Sequence, residues 1–364
     1  MRKTLGKFSV DYLQILDEHG VVTGVMPKIT NERIREMYEQ MVRARVFDET
    51  ALKLQREGRI GTYASIRGQE ASNIGTAFAM DKEDWLFPSF REDGTMIARG
   101  FPMSALLQYW GWDERGMAVP QDVNIFTIAV PVSTQIAHAV GYAWAMKLQK
   151  KKVASVVYFG DGATSKGDFH EGLNFAGTFA LPVVFICQNN QWSISMPRSK
   201  QSASETLAQK AIAYGFEGIQ VDGNDIFAVY TAVRDAVKKA KEGRGPTLIE
   251  CFTYRMSDHT TSDDAKKYRD AAEVVEWEKK DPITRLRFYM KQKKMWTETY
   301  ERELLERVRK EVDEAVRTYE STPPADIEDI FRYTYAEMPP ALREQLEYLK
   351  RSVDETKNMG GTNG

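Results

Sequence analysis

Cysteine is nearly missing: Cys187 and Cys251 are the only two in 364 residues. Each lies in an apolar stretch, which excludes a disulfide framework and reads as a reduced core thiol. Neither sign of charge is in excess, because 50 Lys+Arg face 52 Asp+Glu for a formal net charge of −2. No overall field therefore recommends nucleic acid or an anionic membrane as a partner, and any anion site must be local. No uninterrupted apolar run approaches the roughly 20 residues of a bilayer span, so a membrane-embedded chain is excluded as well. The opening residues MRKTLGKFSV show neither an apolar core nor an Arg/Ser-rich amphipathic stretch, and the expected location is the cytoplasm. What is present, 42% hydrophobic and 28% charged residues, is the balance of a folded chain long enough to bury a large core.

Helical spacing of Ile34, Met37, Met41, Ala44, Leu52 and Leu54 behind Thr30 predicts an amphipathic helix that ends before Gly58. Gly68 to Met80 reads as a second helix and Ser133 to Gln149 as a third, whose small residues suit a buried position. Between them lie the short apolar run Trp85 to Phe87 and a charged turn, Arg91 to Gly94, expected to face solvent or a ligand. The clearest pattern is the β-branched and aromatic run Val153 to Phe159, followed by Gly160-Asp161-Gly162, a helix from Asp168 to Ala180, and a second apolar run, Val183 to Cys187, closing at Gln188-Asn189-Asn190. Further strands are expected at Ile219 to Val221 and Thr247 to Thr253, around a helix from Asp225 to Lys241. Strands alternating with helices predict an α/β fold, a doubly wound and mainly parallel sheet flanked by helices. Beyond Tyr268 the pattern is charged and helical, with helices expected over 272–292, 298–319 and 341–350. The organisation read from this is an N-terminal extension over 1–29, an α/β domain over 30–270, a helical extension of that domain over 271–356, and a tail over 357–364 expected to be disordered.

Asp161 and Asn190 stand at the ends of two strands joined by one helix. Parallel pairing would bring their oxygens to one rim, beside the N–H groups of Gly162 and Ala163. Hard oxygen donors suit Mg²⁺, which commonly bridges a carboxylate to a diphosphate, and clustered N–H groups suit the diphosphate itself. Either motif alone is an ordinary turn; the pairing across one unit is what points to chemistry. A nucleotide-binding sheet is the rival, but Gly160-Asp161-Gly162-Ala163-Thr164-Ser165 lacks the third glycine of a dinucleotide turn and sets an anion where pyrophosphate would lie. A pairing scaffold without catalysis is a second rival, opposed by the retained Asp161, Asn190 and His259.

These residues, with Glu171 to Ala176 between them, resemble the thiamine-diphosphate fingerprint of the alpha subunits of 2-oxo acid dehydrogenase complexes, in their decarboxylating first component. The likeness extends to Gly68-Gln69-Glu70-Ala71, Pro131 to Gln135, Val221 to Asp225, Thr253-Tyr254-Arg255, His259 to Asp264 and Asp281 to Arg287. The resemblance implies the thiamine diphosphate-binding fold and an oxidoreductase that decarboxylates a 2-oxo acid and passes the acyl group to a lipoyl-bearing acyltransferase component. It implies Mg²⁺ held by Asp161, Asn190 and the carbonyl of Trp192. Cofactor contacts follow from Phe90, Arg91, Val132, Gly162, Ala163, Gln188 and His259, with His259 as the catalytic histidine. The glutamate that activates the cofactor is placed by the resemblance in a beta subunit, so the chain is expected to act in a heterotetramer of two alpha and two beta chains.

Departures from the family are specific. The stretch from Trp112 to Pro120 is shorter than in relatives. Gln188 replaces a phosphate-binding arginine of branched-chain relatives. Ser257-Asp258 adds a negative charge that would favour imidazolium at His259 if the side chains approach. Ala129 replaces a potassium-site serine while Pro131, Thr134 and Gln135 match, which leaves room for K⁺. The loop motifs lean toward a branched-chain 2-oxo acid, with pyruvate and acetoin as alternatives.

Overall fold

The computed structural model describes residues 1–360. One compact unit comprises residues 1–317 and a second begins at Thr318. In the first, six strands form one sheet: β1 (Asp11–Leu13), β2 (Trp85–Phe87), β3 (Ser155–Gly160), β4 (Val183–Asn189), β7 (Glu217–Asp222) and β8 (Thr247–Phe252), in the order β1-β7-β8-β4-β3-β2. Every pairing in it is parallel. A separate antiparallel hairpin joins β5 (Trp192–Ser193) to β6 (Met196–Pro197).

The helices of this unit are α1 (Asn31–Arg56), α2 (Glu70–Ala79), α3 (Asp93–Ala98), α4 (Met103–Trp110), α5 (Thr134–Leu148), α6 (Gly167–Thr178), α7 (Arg198–Gln201), α8 (Ile226–Lys241), α9 (Ala271–Glu278) and α10 (Pro282–Gln292). α11 (Glu298–Glu320) follows them, and the second unit carries α12 (Asp329–Arg332) and α13 (Pro340–Gly360). α13 runs past the end expected at Lys350, and residues 361–364 of the expected tail lie outside the described residues.

Both faces of the sheet are covered, as parallel strands require. Val157, Phe159, Val183, Phe185, Cys187 and Leu248 form one buried layer with Ile136, Ala139 and Val140 of α5 and Phe169 and Leu173 of α6. Alternate residues point the other way, and Tyr158 donates its hydroxyl to the carbonyl of Ser72 on α2. Cys187 and Cys251 are both buried and free. No helix among the described residues is long and apolar enough to cross a membrane.

Two local expectations are corrected and an open one is narrowed. The turn at Arg91 to Gly94, expected to face solvent or a ligand, is buried, because Ser89 and Arg91 donate their backbone N–H groups to Glu92 and α3 starts at once, and its Arg91 and Glu92 line a cavity. α5 is buried on one face only, with Trp144 and Leu148 exposed on the other. The helix expected over 272–292 is two helices, since Pro282 has no N–H to continue the first and instead opens α10 behind an Asp281 cap on Thr284.

Candidate active site

Strands β3 and β4 set the floor of the site. Their register pairs Gly160 with Gln188, so Asp161 and Asn190 leave neighbouring strands at the same level, at the carboxyl edge of the sheet. A cavity of about 230 Å³ opens there, and Phe90, Arg91, Val132, Asp161, Gly162, Ala163, Gln188, Asn190, Trp192 and His259 all line it. The structure thus gathers every residue assigned to thiamine diphosphate or Mg²⁺ from the sequence, from Phe90 to His259, into one cleft.

Asp161 is buried, and burial pushes its carboxyl up to about 6 against the opposing pull of a hydrogen bond from Gln201. Gln201 Nε2 donates to Oδ2 at 2.7 Å, and a Cβ built on Gly162 would sit 2.3 Å from Ser193 Oγ. The chain needs glycine there because the β5 hairpin closes over the turn. Asn190 Oδ1 accepts the N–H of Trp192 at 3.3 Å while Nδ2 donates to Gln69 Oε1 at 3.1 Å. The carbonyl of Trp192 accepts a long contact from Arg255 at 3.5 Å. Residues Asp161–Ser165 form a 3-10 turn, whose first N–H groups have no acceptor within the turn.

Gln188 lines the cavity with its amide turned inward. It accepts from Ser72 at 2.6 Å and Asn73 at 3.1 Å and donates to Glu92 at 2.6 Å. Its side chain is a brace for α2 and the Glu92 turn in this structure. Val132 is 42% exposed at the cavity rim, next to Ser133, which adopts a left-handed φ of 77° and caps the Ala163 carbonyl at 3.0 Å.

Above this floor two arginines meet one histidine. Arg91 Nη2 lies 3.1 Å from His259 Nδ1 and Arg255 Nη1 lies 3.2 Å from the same atom. Arginine can only donate, so Nδ1 accepts and the ring proton sits on Nε2. Burial, then Arg91, then Arg255, push the imidazole down to about 4, so His259 is neutral near pH 7. The imidazolium expected from Asp258 is not formed, because Asp258 Oδ1 turns away to the Ala265 N–H at 3.0 Å. Asp263 instead takes the backbone N–H of His259 at 2.8 Å.

Arg91 and Arg255 are both buried, and among the described residues neither pairs with a carboxylate within salt-bridge distance. Arg91 is spent on the carbonyls of Ser65 and His259, and Arg255 on the carbonyl of Ile194 and the hydroxyl of Tyr268. A buried cation held by neutral acceptors is costly, and Arg91, which lines the cavity, offers its charge to an anion there; burial and Arg255 already lower it to about 10. Gln69 Nε2, Gln135 Oε1 and Arg255 Nε are also buried without partners.

The donor set suits a divalent cation that carries a diphosphate. Among the described residues no group of three or more His, Cys, Asp or Glu side chains stands together for a metal. Asp161, Asn190 and Trp192 together offer one carboxylate, one carboxamide and one main-chain carbonyl, a set that would leave coordination positions for phosphate oxygens and water. Gly160 would project a Cβ into open space, so the cavity edge there is clear for a ligand. Gln69, Gln201 and Arg255 were not identified as site residues from sequence. Their part depends on convergence of distant segments, although Gln69 and Arg255 lie within motifs that carried the resemblance.

A fold of this kind with such an edge defines a cofactor-dependent α/β enzyme, and comparison with known proteins makes the class specific. The family model described as "Dehydrogenase E1 component" matches residues 38–328. The chain belongs to that family, the decarboxylating first component of 2-oxo acid dehydrogenases, on its alpha-subunit side. Among its relatives are proteins named pyruvate dehydrogenase E1 component subunit alpha from Staphylococcus aureus and Staphylococcus epidermidis, each 40% identical over 353 residues, covering 96% of this chain and 95% of the relative.

Proposed function

We propose that the chain is the alpha subunit of a thiamine diphosphate-dependent 2-oxo acid dehydrogenase. Pyruvate is the substrate that the relatives' names favour over the branched-chain acid suggested by the loop motifs. The observation that carries this reading is the single cavity in which the buried guanidinium of Arg91 and the ring of His259 face Asp161, Asn190 and Trp192, with Arg255 bracing His259 at Nδ1. When bound, thiamine diphosphate supplies the electron sink that lets a 2-oxo acid lose CO₂. Asp161, Asn190 and the Trp192 carbonyl would hold Mg²⁺, and the turn N–H groups of Gly162 and Ala163 the diphosphate. Phe90 and Val132 would border the ring system. For K⁺ the support is one buried acceptor without a partner, Gln135 Oε1.

His259 would act as a neutral donor through Nε2. Its orientation is set by Arg91 and Arg255 at Nδ1 and by Asp263 at its backbone, so it can protonate or stabilise a developing negative charge on the acyl group in transit to a lipoyl acceptor. On this reading the chain works in the cytoplasm, beside a beta subunit that completes the site and a lipoyl-bearing acyltransferase. The test is a reconstituted alpha–beta pair assayed for 2-oxo acid-dependent dye reduction. His259→Ala should retain cofactor binding and lose transfer to lipoamide, and unchanged transfer would remove the assigned role.

A further inference from the structure

A second chamber adjoins the site. It has a volume of about 320 Å³ and shares Phe90, Val130 and His259 with the cofactor cavity. Its remaining walls are Ala64, Tyr109, Trp110 and Trp112, with Thr62, Glu114 and Thr260 at its polar edge. None of these residues is needed to hold a diphosphate or a metal.

The walls are held in place from behind. Trp110 is buried, packs edge-on against Tyr63 with ring centres 5.4 Å apart, and donates Nε1 to Asp93 at 3.2 Å. Tyr63 in turn donates to Asp48 at 3.0 Å. The Trp110 carbonyl accepts the Gly61 N–H at 2.8 Å, which ties the Thr62 segment to the same wall. Trp112 has a left-handed φ of 69°, a costly conformation for this residue type, and remains 75% exposed. Its indole lies directly on Gly61, where a Cβ would come 1.6 Å from Nε1. An aromatic residue is thus kept in an unfavourable backbone state, against solvent, at the rim of an aromatic chamber that opens onto His259.

We propose that this chamber receives the side chain of the 2-oxo acid, that Thr62, Trp110 and Trp112 set its size, and that a planar aromatic side chain fits it. The inference rests on the reading of the adjoining cavity as the cofactor site. A methyl group has no use for walls of this extent, whereas a ring gains edge-to-face contacts with Phe90, Trp110 and Trp112 as well as apolar burial.

The experiment uses the chain assembled with its beta-type partner and loaded with thiamine diphosphate and Mg²⁺, with kcat/KM measured on pyruvate and on phenylpyruvate. For the unmodified complex we expect phenylpyruvate to stand above about one tenth of the pyruvate value, and Thr62→Phe to lower it by about tenfold or more. In the same variant pyruvate should change by less than about threefold, with cofactor affinity by calorimetry unmoved. Trp112→Ala, at an exposed position that does not threaten folding, should also cut the phenylpyruvate value selectively. Phenylpyruvate below one tenth of pyruvate in the unmodified complex, or parallel losses on both acids in the variants, overturns the proposal. Cofactor binding without turnover of either acid overturns it too, while failure of the complex to bind thiamine diphosphate strikes the underlying reading itself.

Discussion

His259 carries its chemistry because of what surrounds it. Two guanidiniums at Nδ1 and burial hold it neutral, so Arg91→Met should move its titration, followed by NMR, from about 4 toward the ordinary 6.5; an unmoved midpoint would show that the arginines do not control the ring. At Asp161 the raised carboxyl, about 6 against an ordinary 3.8, has two consequences of opposite sign. Above pH 6 the ionised, buried group costs the metal-free chain stability, and that cost is relieved as pH falls through 6. Cation binding runs the other way, since a proton must then be displaced, and affinity for Mg²⁺ with thiamine diphosphate should fall by about tenfold per unit below pH 6. A flat profile by calorimetry between pH 5 and 7 would contradict Asp161 as a ligand. The meeting of Asp161 and Asn190 was legible because their spacing around buried strands forces them to one edge, whereas His259 was singled out only by the family resemblance. Gln201, which orients Asp161, was not, since nothing in Met196 to Ser204 marks one polar residue among many.

At the scale of elements, strands β3 and β4 were readable as continuous apolar runs, because parallel central strands are buried on both faces. Edge strand β1 was not, having three residues and its identity only through pairing with Ile219 to Val221. The Val221 to Asp225 motif proves to be a structural junction: Asp222 pairs with buried Arg285 at 2.7 Å, and Asp225 caps α8 while accepting the N–H groups of Ile15 and Leu16. The N-terminal extension is therefore fastened to the sheet by carboxylates that the sequence alone could not assign. Close packing of α6 makes its own prediction. A Cβ on Gly177 would sit 2.2 Å from the Tyr214 carbonyl oxygen, a backbone atom that cannot swing aside. Gly177→Ala should lower stability by about 1–3 kcal/mol in thermal or denaturant unfolding; a neutral effect would mean that α6 is free to shift.

For the whole molecule, the fold class was the most legible property and the partner surface the least. Composition gave no net field to draw a charged partner, and alternation of strand and helix dictated the layered sheet. By contrast, Val130, Val132 and Ile194 are exposed at the mouth of the cofactor cavity, and exposure of apolar side chains at a site is an expectation that one sequence cannot supply. Removal of the metal should release the cofactor from the assembled enzyme, and the chain without its beta-type partner should show no 2-oxo acid-dependent dye reduction; activity of the lone chain would contradict a site shared between subunits. The most direct measurement is calorimetric titration of thiamine diphosphate into the chain with and without Mg²⁺, for the native sequence and for Asp161→Ala. Saturable binding that requires Mg²⁺ and disappears in the variant is the expected result. Binding of equal strength without the cation, or unchanged in the variant, would contradict a cation held between Asp161 and Asn190.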